Sequence, residues 1–243
     1  MKKSLPVNTP GIVVRTVRRS SPDNLQRLAD FGAATVHEAQ LQKGDMHPSL
    51  RPVNPGYTIA GNAITVLLQP GDNWMLHVAI ELCEPGDVIV AAPVTPSSSG
   101  YFGDLLATSA ASHGVRGLVI EGGVRDISTL HEMDFPVWSS AVSIKGTVKE
   151  SLGSVNVPIR CGGQIVYPGD AVVCDDDGVC VVAYKLVDET IDSAEKRMLN
   201  EKSKRSQFAA GELGLDIYAM RERLAEAGLR YIDNVEDWDD ADH

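Results

Sequence analysis

The 243 residues carry 22 Lys and Arg against 33 Asp and Glu, a formal charge of −11. That balance argues against a nucleic-acid binder, because phosphate contacts need a strong basic footprint. Hydrophobic residues make up 43% and charged residues 23%, an ordinary globular mixture with ample material for a core, and no apolar run reaches membrane-spanning length.

Aromatics are only 5%, so the core must rest on Val, Ile, Leu and Ala. The opening Met1-Lys2-Lys3-Ser4-Leu5-Pro6 has no apolar stretch behind it and does not read as a signal peptide. Cys83, Cys161, Cys174 and Cys180 form no CxxC pair; reduced thiols and a cytoplasmic location are expected. The basic cluster Lys202-Ser203-Lys204-Arg205 lies in a helix-like stretch with Glu195 and Glu201 and reads as a solvated helix face. An anionic substrate would be met by local cations instead.

In chain order, residues 22–31 read as an amphipathic helix ended by Gly32, with Thr35 placed to cap a second one. Pro48, Pro52 and Pro55 mark an irregular connection. Residues 57–69 alternate and are rich in β-branched side chains, so strands are expected there. Pro70-Gly71-Asp72 makes a turn, and Asp72 or Asn73 can cap a helix running through His77 and Glu81. Pro85-Gly86-Asp87 stops that helix and launches the strand 88–92; a third such turn, Pro168-Gly169-Asp170, precedes Ala171-Val172-Val173. Proline followed by glycine suits a type II turn with glycine at positive φ.

Residues 103–113 then read as a helix and 118–120 as a short buried strand. Gly122-Gly123 reads as a tight loop, and another helix follows over about 126–133. Strands return at 137–143 and 157–183, a long helix covers roughly 187–210, and another covers about 216–227. Alternating helices and buried strands define an α/β class. The expected organisation is one domain spanning residues 1–243, with C-terminal helical arms over about 187–230 and a loose acidic tail over 233–243.

Gly103-Asp104-Leu105-Leu106 opens a helix. Glycine lets a ligand approach the backbone, and the first turn offers unpaired N–H groups and the positive end of the dipole, a ready site for a carboxylate. Taken alone, Asp104 reads first as a helix cap. Glu121-Gly122-Gly123-Val124-Arg125-Asp126 follows a buried strand, and ligands of α/β folds bind at the carboxyl ends of strands. Arg125 offers a planar fork for a carboxylate or an enolate oxygen. Asp126 offers hard oxygens for Mg²⁺ or Mn²⁺. The structural alternative is an Arg–Asp pair that caps the next helix.

The pattern Asp104-x20-Arg125-Asp126 resembles the signature of the RraA-like aldolases, and wider stretches resemble their 4-hydroxy-4-methyl-2-oxoglutarate / 4-carboxy-4-hydroxy-2-oxoadipate aldolases. These stretches include Ala34-Thr35-Val36-His37-Glu38-Ala39-Gln40, Pro70-Gly71-Asp72-Asn73-Trp74-Met75, Tyr101-Phe102-Gly103-Asp104, Gly146-Thr147-Val148-Lys149, Asp175-Asp176-Asp177-Gly178 and Gly211-Glu212-Leu213-Gly214. The likeness runs from about residue 11 to 236. It implies a layered β/β/α (αββα-type) domain and a pyruvate-forming aldolase dependent on Mg²⁺ or Mn²⁺, assembled as a homotrimer or hexamer.

Carried over by residue, the resemblance implies that Asp126 holds the metal and Arg125 binds substrate and steadies an enolate. Asp104 would position a water, and the amides of Gly103, Asp104, Leu105 and Leu106 would hold a carboxylate. Glu201 would reach a neighbouring subunit's metal site through water. Asn73 and His77 are expected at the rim, and His37-Glu38 is a further rim candidate. The family pattern leads to an expectation of Asp-Ala-Gly before Val-Arg-Asp; here Glu121-Gly122-Gly123 stands there, and the longer acid would alter water positions around the metal.

Other candidates read as structural. His77 and Glu81 are four apart but form no HExxH pattern, Asp175-Asp176-Asp177-Gly178 reads as a hairpin turn, and nothing explains a lowered pKa at Lys145 or Lys149 for Schiff-base chemistry. The expected partners are a small anionic 2-oxo acid and further copies of the chain, with neither nucleic acid nor membrane. Two alternatives stay open: a non-catalytic regulator that binds ribonuclease E, and a dedicated oxaloacetate decarboxylase.

Overall fold

A computed structural model describes residues 6–234. The expectations for the N-terminal start and most of the acidic tail fall outside these residues. The chain divides into two compact units, Met1–Arg197 and Met198–His243.

The first unit opens with α1 (Pro22–Ala39), whose Ser21 cap accepts from the Asn24 N–H. Gly32, at φ 77° and ψ 163°, breaks this helix in two as expected. The second half is not capped by Thr35. Asp175 Oδ2 accepts from the Ala33 N–H at 2.7 Å instead, from 142 residues further along the chain. After β1 (Arg51–Pro52) come β2 (Ile59–Leu68), α2 (Trp74–Leu82), β3 (Asp87–Pro93), β4 (Gly100–Phe102), α3 (Asp104–Ser112), β5 (Gly117–Val124), α4 (Ile127–Glu132) and β6 (Val137–Val142). The β-rich half follows with β7 (Ser154–Val155), β8 (Ile159–Cys161), β9 (Gln164–Val166), β10 (Ala171–Cys174) and β11 (Val179–Val182).

Strands β2, β3, β5 and β6 are parallel neighbours, while β10 and β11 extend the sheet antiparallel beyond β2. Side chains alternate across it. Ile64, Val66, Ile89, Ala91, Leu118 and Ile120 meet Leu76, Ala79, Leu106 and Leu130 of the helices. Ala63, Leu67, Val88, Val90 and Val119 share the other core with Trp138, Ile159 and Val166. Burial on both faces explains why these strands read as unbroken apolar runs. The β8–β9 pair forms a small second layer opposite the helices. Helix layer, large sheet and small sheet give the expected α/β arrangement.

All three Pro-Gly-Asp turns form with glycine at positive φ: 74° at Gly71, 99° at Gly86 and 86° at Gly169. Their aspartates are buried, with relative exposures of 2% for Asp72, 0% for Asp87 and 5% for Asp170. The aspartate cluster at 175–178 is the turn of the β10–β11 hairpin, in which Cys174 faces Val179.

Beyond the Thr35 cap, two expectations change. Gly122-Gly123 is not a loop: both lie inside β5, where the register against β6 shifts between Ile120 and Gly123. A Cβ on Gly123 would lie 2.5 Å from the Ser98 carbonyl oxygen, so glycine is needed for the 98–102 segment to close on the sheet. That segment carries β4, a strand absent from the sequence reading, which pairs with β5.

The second change concerns the single helix expected over 216–227. In the second unit two short helices, α6 (Gly214–Ile217) and α7 (Arg221–Glu226), flank Ala219, a non-glycine residue at φ 49°. The long α5 (Val187–Ala209) matches expectation and runs from the first unit into the second. Phe208 and Tyr218 hold the second unit's helices together, with ring centroids 6.2 Å apart, and Lys204 Nζ lies 4.2 Å from the Tyr218 ring centroid.

Candidate active site

Strands β4 and β5 end side by side, and the Arg125 N–H donates to the Phe102 carbonyl at 2.9 Å. This bond joins the two stretches that the sequence singled out, at the start of α3. Gly103 is the N-cap of α3 and has no side chain to offer its first amides. One carboxylate from outside the helix and one from its first residue fill that role. Asp126 Oδ2 accepts from the Asp104 N–H at 3.3 Å, and Asp104 Oδ1 accepts from the Leu105 N–H at 2.7 Å.

Asp126 is the residue that decides between cap and site. It stands at the N-cap of α4 in the left-handed conformation, φ 58° and ψ 39°, yet its side chain makes no capping bond to that helix. A non-glycine residue at positive φ carries a conformational cost. Here it turns the carboxylate toward α3 and toward Arg125 Nε, 3.4 Å from Oδ2. Any Cβ on residue 103 would lie 2.2 Å from Asp126 Oδ2. Glycine at 103 is therefore required for the carboxylate to sit there. The side chains of Arg125 and Asp126 remain 45% and 35% exposed, so neither is locked away as a structural ion pair.

A cleft of about 90 Å³ is lined by Gly103, Asp104, Leu105, Leu106 and Arg125 on one side and by Asn73, His77 and Lys149 on another. Larger cavities of about 350, 790 and 720 Å³ lie elsewhere and do not include Arg125 or Asp104. Asn73, the N-cap of α2, makes no side-chain capping bond. Asp72 Oδ1 accepts from the Trp74 N–H instead. Asn73 Nδ2 donates to the Tyr101 carbonyl at 2.9 Å, leaving Oδ1 buried without a partner.

In the sequence Lys149 stands in a family-like stretch and as a poor Schiff-base candidate, and spacing gives no hint that it joins Arg125. The tertiary fold brings it in. Asp72 Oδ2 accepts from the Glu150 and Ser151 N–H groups at 2.6 and 2.7 Å, and the Val148 N–H donates to the Gly71 carbonyl. These bonds staple 148–151 to the turn before α2. His77 is held below its ordinary pKa by desolvation and by the Lys149 charge.

The other candidates disperse. Glu81 and Lys145 do not line the cleft. His37 Nε2 lies 3.5 Å from Asp45 Oδ1, Glu38 pairs with Arg197, and neither residue borders the cleft, so the rim expectation for this pair is withdrawn. Glu121 points away from the site: its Oε2 accepts from the Gly162 N–H at 2.9 Å and it lines the separate 790 Å³ cavity. Arg125 lies just beyond β5 and past its register shift between Ile120 and Gly123, and it lines the cleft while Glu121 does not, so the altered-water expectation does not hold. Glu201 lies on α5 within the second unit. Among the described residues no group of three or more His, Cys, Asp or Glu is placed to hold a metal.

The fold and this cleft define a class of α/β protein with an anion-receptive helix start at the end of a sheet strand. The RraA-like family profile (Aldolase/RraA) matches residues 30–181, and the chain belongs to that family. A "Putative 4-hydroxy-4-methyl-2-oxoglutarate aldolase" of Halalkalibacterium halodurans is 29% identical over 170 residues, covering 70% of this chain and 81% of that protein. One with the same description from Burkholderia multivorans is 31% identical, covering 62% and 93%.

Among solved structures, an uncharacterized protein from Pseudomonas syringae pv. tomato superposes with a TM-score of 0.73 at 25% identity, covering 82% of this chain and 93% of that one. RraAS2 of Streptomyces coelicolor, described as an unusual member of the RNase ES inhibitor RraA family, superposes with a TM-score of 0.69 at 27% identity, covering 78% and 100%.

Proposed function

We propose that the chain is a divalent-metal-dependent pyruvate aldolase. It would cleave 4-carboxy-4-hydroxy-2-oxoadipate or 4-hydroxy-4-methyl-2-oxoglutarate and decarboxylate oxaloacetate as a side reaction. The observation that carries this reading is the placement of Asp126, whose carboxylate is withheld from the helix it caps and set beside Arg125 and the α3 amides. The names of the relatives support it.

The donor set fits a hard cation. Asp126, with Asp104 nearby, supplies carboxylate oxygens but no closed protein cage, which matches the habit of Mg²⁺ and Mn²⁺ of keeping several waters and taking few protein ligands. Asp126 would hold the ion and Asp104 a water beside it. Glu201 of a neighbouring subunit, in a homotrimer or hexamer, would approach through water. When bound, the ion supplies Lewis-acid polarisation of the 2-oxo group. Substrate carboxylate would take the place of the Asp104 and Asp126 oxygens at the first α3 amides, drawn by the helix dipole. The Arg125 fork would hold the 2-oxo oxygen and stabilise the negative charge that develops there as the C3–C4 bond breaks. A water positioned by Asp104 would then protonate C3.

Pyruvate release from 4-carboxy-4-hydroxy-2-oxoadipate should require Mg²⁺ or Mn²⁺, stop with EDTA, and be lost in Arg125→Ala. No release from this substrate, its 4-methyl analogue or oxaloacetate would overturn the enzyme reading and turn attention to ribonuclease binding.

A further inference from the structure

The cleft has two chemically opposite walls. The α3 and β5 side presents donors: the Arg125 guanidinium and the first-turn amides. The α2 side presents two acceptors, Asn73 Oδ1 and a ring nitrogen of His77, with the Lys149 ammonium beside them. Asn73 and His77 are four residues apart and so share one face of that helix, and both line the cleft. The bond from Asn73 Nδ2 to the Tyr101 carbonyl fixes the amide, so the group left over is Oδ1, 93% of the residue being buried and that oxygen unpartnered. No hydrogen bond or ion pair joins the His77 ring to any described residue. A buried acceptor without a donor is costly, and a bare carboxylate cannot satisfy it; a hydroxyl can.

We propose that His77 is the base that takes the C4 hydroxyl proton of the substrate, with Asn73 Oδ1 accepting from the same end of the molecule. This rests on the aldolase reading above. The O–H proton passes to a ring nitrogen of His77. The pair freed from the O–H bond forms the new C4 carbonyl, and the C3–C4 pair moves to give the enolate of pyruvate, which water protonates at C3. The imidazolium returns its proton to solvent, so atoms and charge balance. Lys149 is the positioning cation of this wall: desolvation first and the Lys149 charge second hold the His77 pKa down. The other charged groups around His77 are Asp104 and Arg125 across the cleft, Glu81 one turn along α2, and Glu150 beside Lys149. Asp72 is already saturated by three backbone donors.

Oxaloacetate in its keto form has no hydroxyl to deprotonate, so its decarboxylation needs the donor wall alone. The test compares the two reactions over pH 5–9 in wild type, His77→Gln and Lys149→Met, with Mg²⁺ present. His77→Gln should lower cleavage about 10²- to 10³-fold, the range of general-base catalysis, and leave decarboxylation within about threefold. The acid limb of kcat/KM for cleavage should vanish in His77→Gln and move to higher pH in Lys149→Met, because removing the cation raises the imidazole pKa.

Equal loss of both reactions in His77→Gln, or cleavage within threefold of wild type, would overturn the assignment. An unmoved acid limb in Lys149→Met, an exposed position whose replacement leaves the core intact, would overturn the role of Lys149. A wild type that cleaves nothing would instead remove the aldolase reading itself.

Discussion

Carboxylates meet backbone N–H groups in two kinds of place in this molecule, and the contrast separates scaffolding from chemistry. In the Pro-Gly-Asp turns the aspartates are buried and their oxygens committed. Asp87 accepts from Arg19 Nε and Nη2 and from the Glu84 N–H, while Asp72 takes three backbone donors. At the start of α3 the carboxylates of Asp104 and Asp126 are partly exposed and hold single, in one case long, bonds to amides. A saturated carboxylate defines a turn. An under-committed one beside a guanidinium can be displaced by a ligand.

The contrast should break most sharply at Arg125. Arg125→Ala should reduce pyruvate release by at least about 10²- to 10³-fold, the cost of losing one preorganised donor. Its melting temperature should stay close to wild type, since that side chain is 45% exposed. Asp87→Ala should do the reverse: stripping a buried carboxylate from Arg19 costs about 3–5 kcal/mol, visible in urea unfolding, with activity per folded molecule retained. A variant that lost activity but not stability would place Asp87 in the wrong class.

Gly103→Ala tests the border between the two classes. The new methyl needs the space of Asp126 Oδ2, 2.2 Å away, and a displacement of about 1 Å at a reacting site can cost about 10²-fold. Activity should fall by about that factor with little change in unfolding free energy.

The smallest effect compares two aspartates of the same turn motif. Burial pushes Asp72 up, but the Glu150, Trp74 and Ser151 amides and Lys149 outweigh it and hold it below the usual carboxylate range. Burial dominates at Asp170 and holds it above that range despite the Tyr184 and Tyr167 amides. Asp72 therefore contributes stability above its unfolded pKa of about 4, lost as pH falls through the lower folded value. Asp170 favours its protonated form, so its contribution is present below about pH 4 and is lost as pH rises through the higher folded value. Relative to wild type, the penalty of Asp72→Asn should grow between pH 3 and 6 and that of Asp170→Asn should shrink; parallel curves would refute the distinction.

Much of this architecture was legible in the sequence. The three Pro-Gly-Asp turns, the break at Gly32, the α3 start and the buried parallel strands all follow from local pattern, because turn geometry and two-faced burial leave direct marks on residue choice. What escaped was non-local. The three-residue β4 has no periodicity long enough to register, and Gly122-Gly123 looks like a loop although the glycines serve a close approach to β4 and its flank. Asp104 could be paired with Arg125 and Asp126 from sequence, because they bound one helix–strand unit whose 20-residue spacing brings both ends to the same sheet edge, and family likeness agreed. Lys149 reached the cleft through the staple at Asp72, which no spacing rule records.

The bond between Asp175 and Ala33 has a consequence for the order of assembly. The second half of α1 leaves the ribosome early, yet its N-terminal cap comes from the β10–β11 hairpin, 142 residues later. Asp175 also ties its own turn through the Asp177 and Gly178 N–H groups, so the cap exists only once the hairpin has closed. Closing so long a loop carries a large entropic cost that is repaid late. The residues after Gly32 should therefore gain their protection from hydrogen exchange together with the hairpin rather than with the first half of their own helix, and Asp175→Ala should chiefly accelerate unfolding.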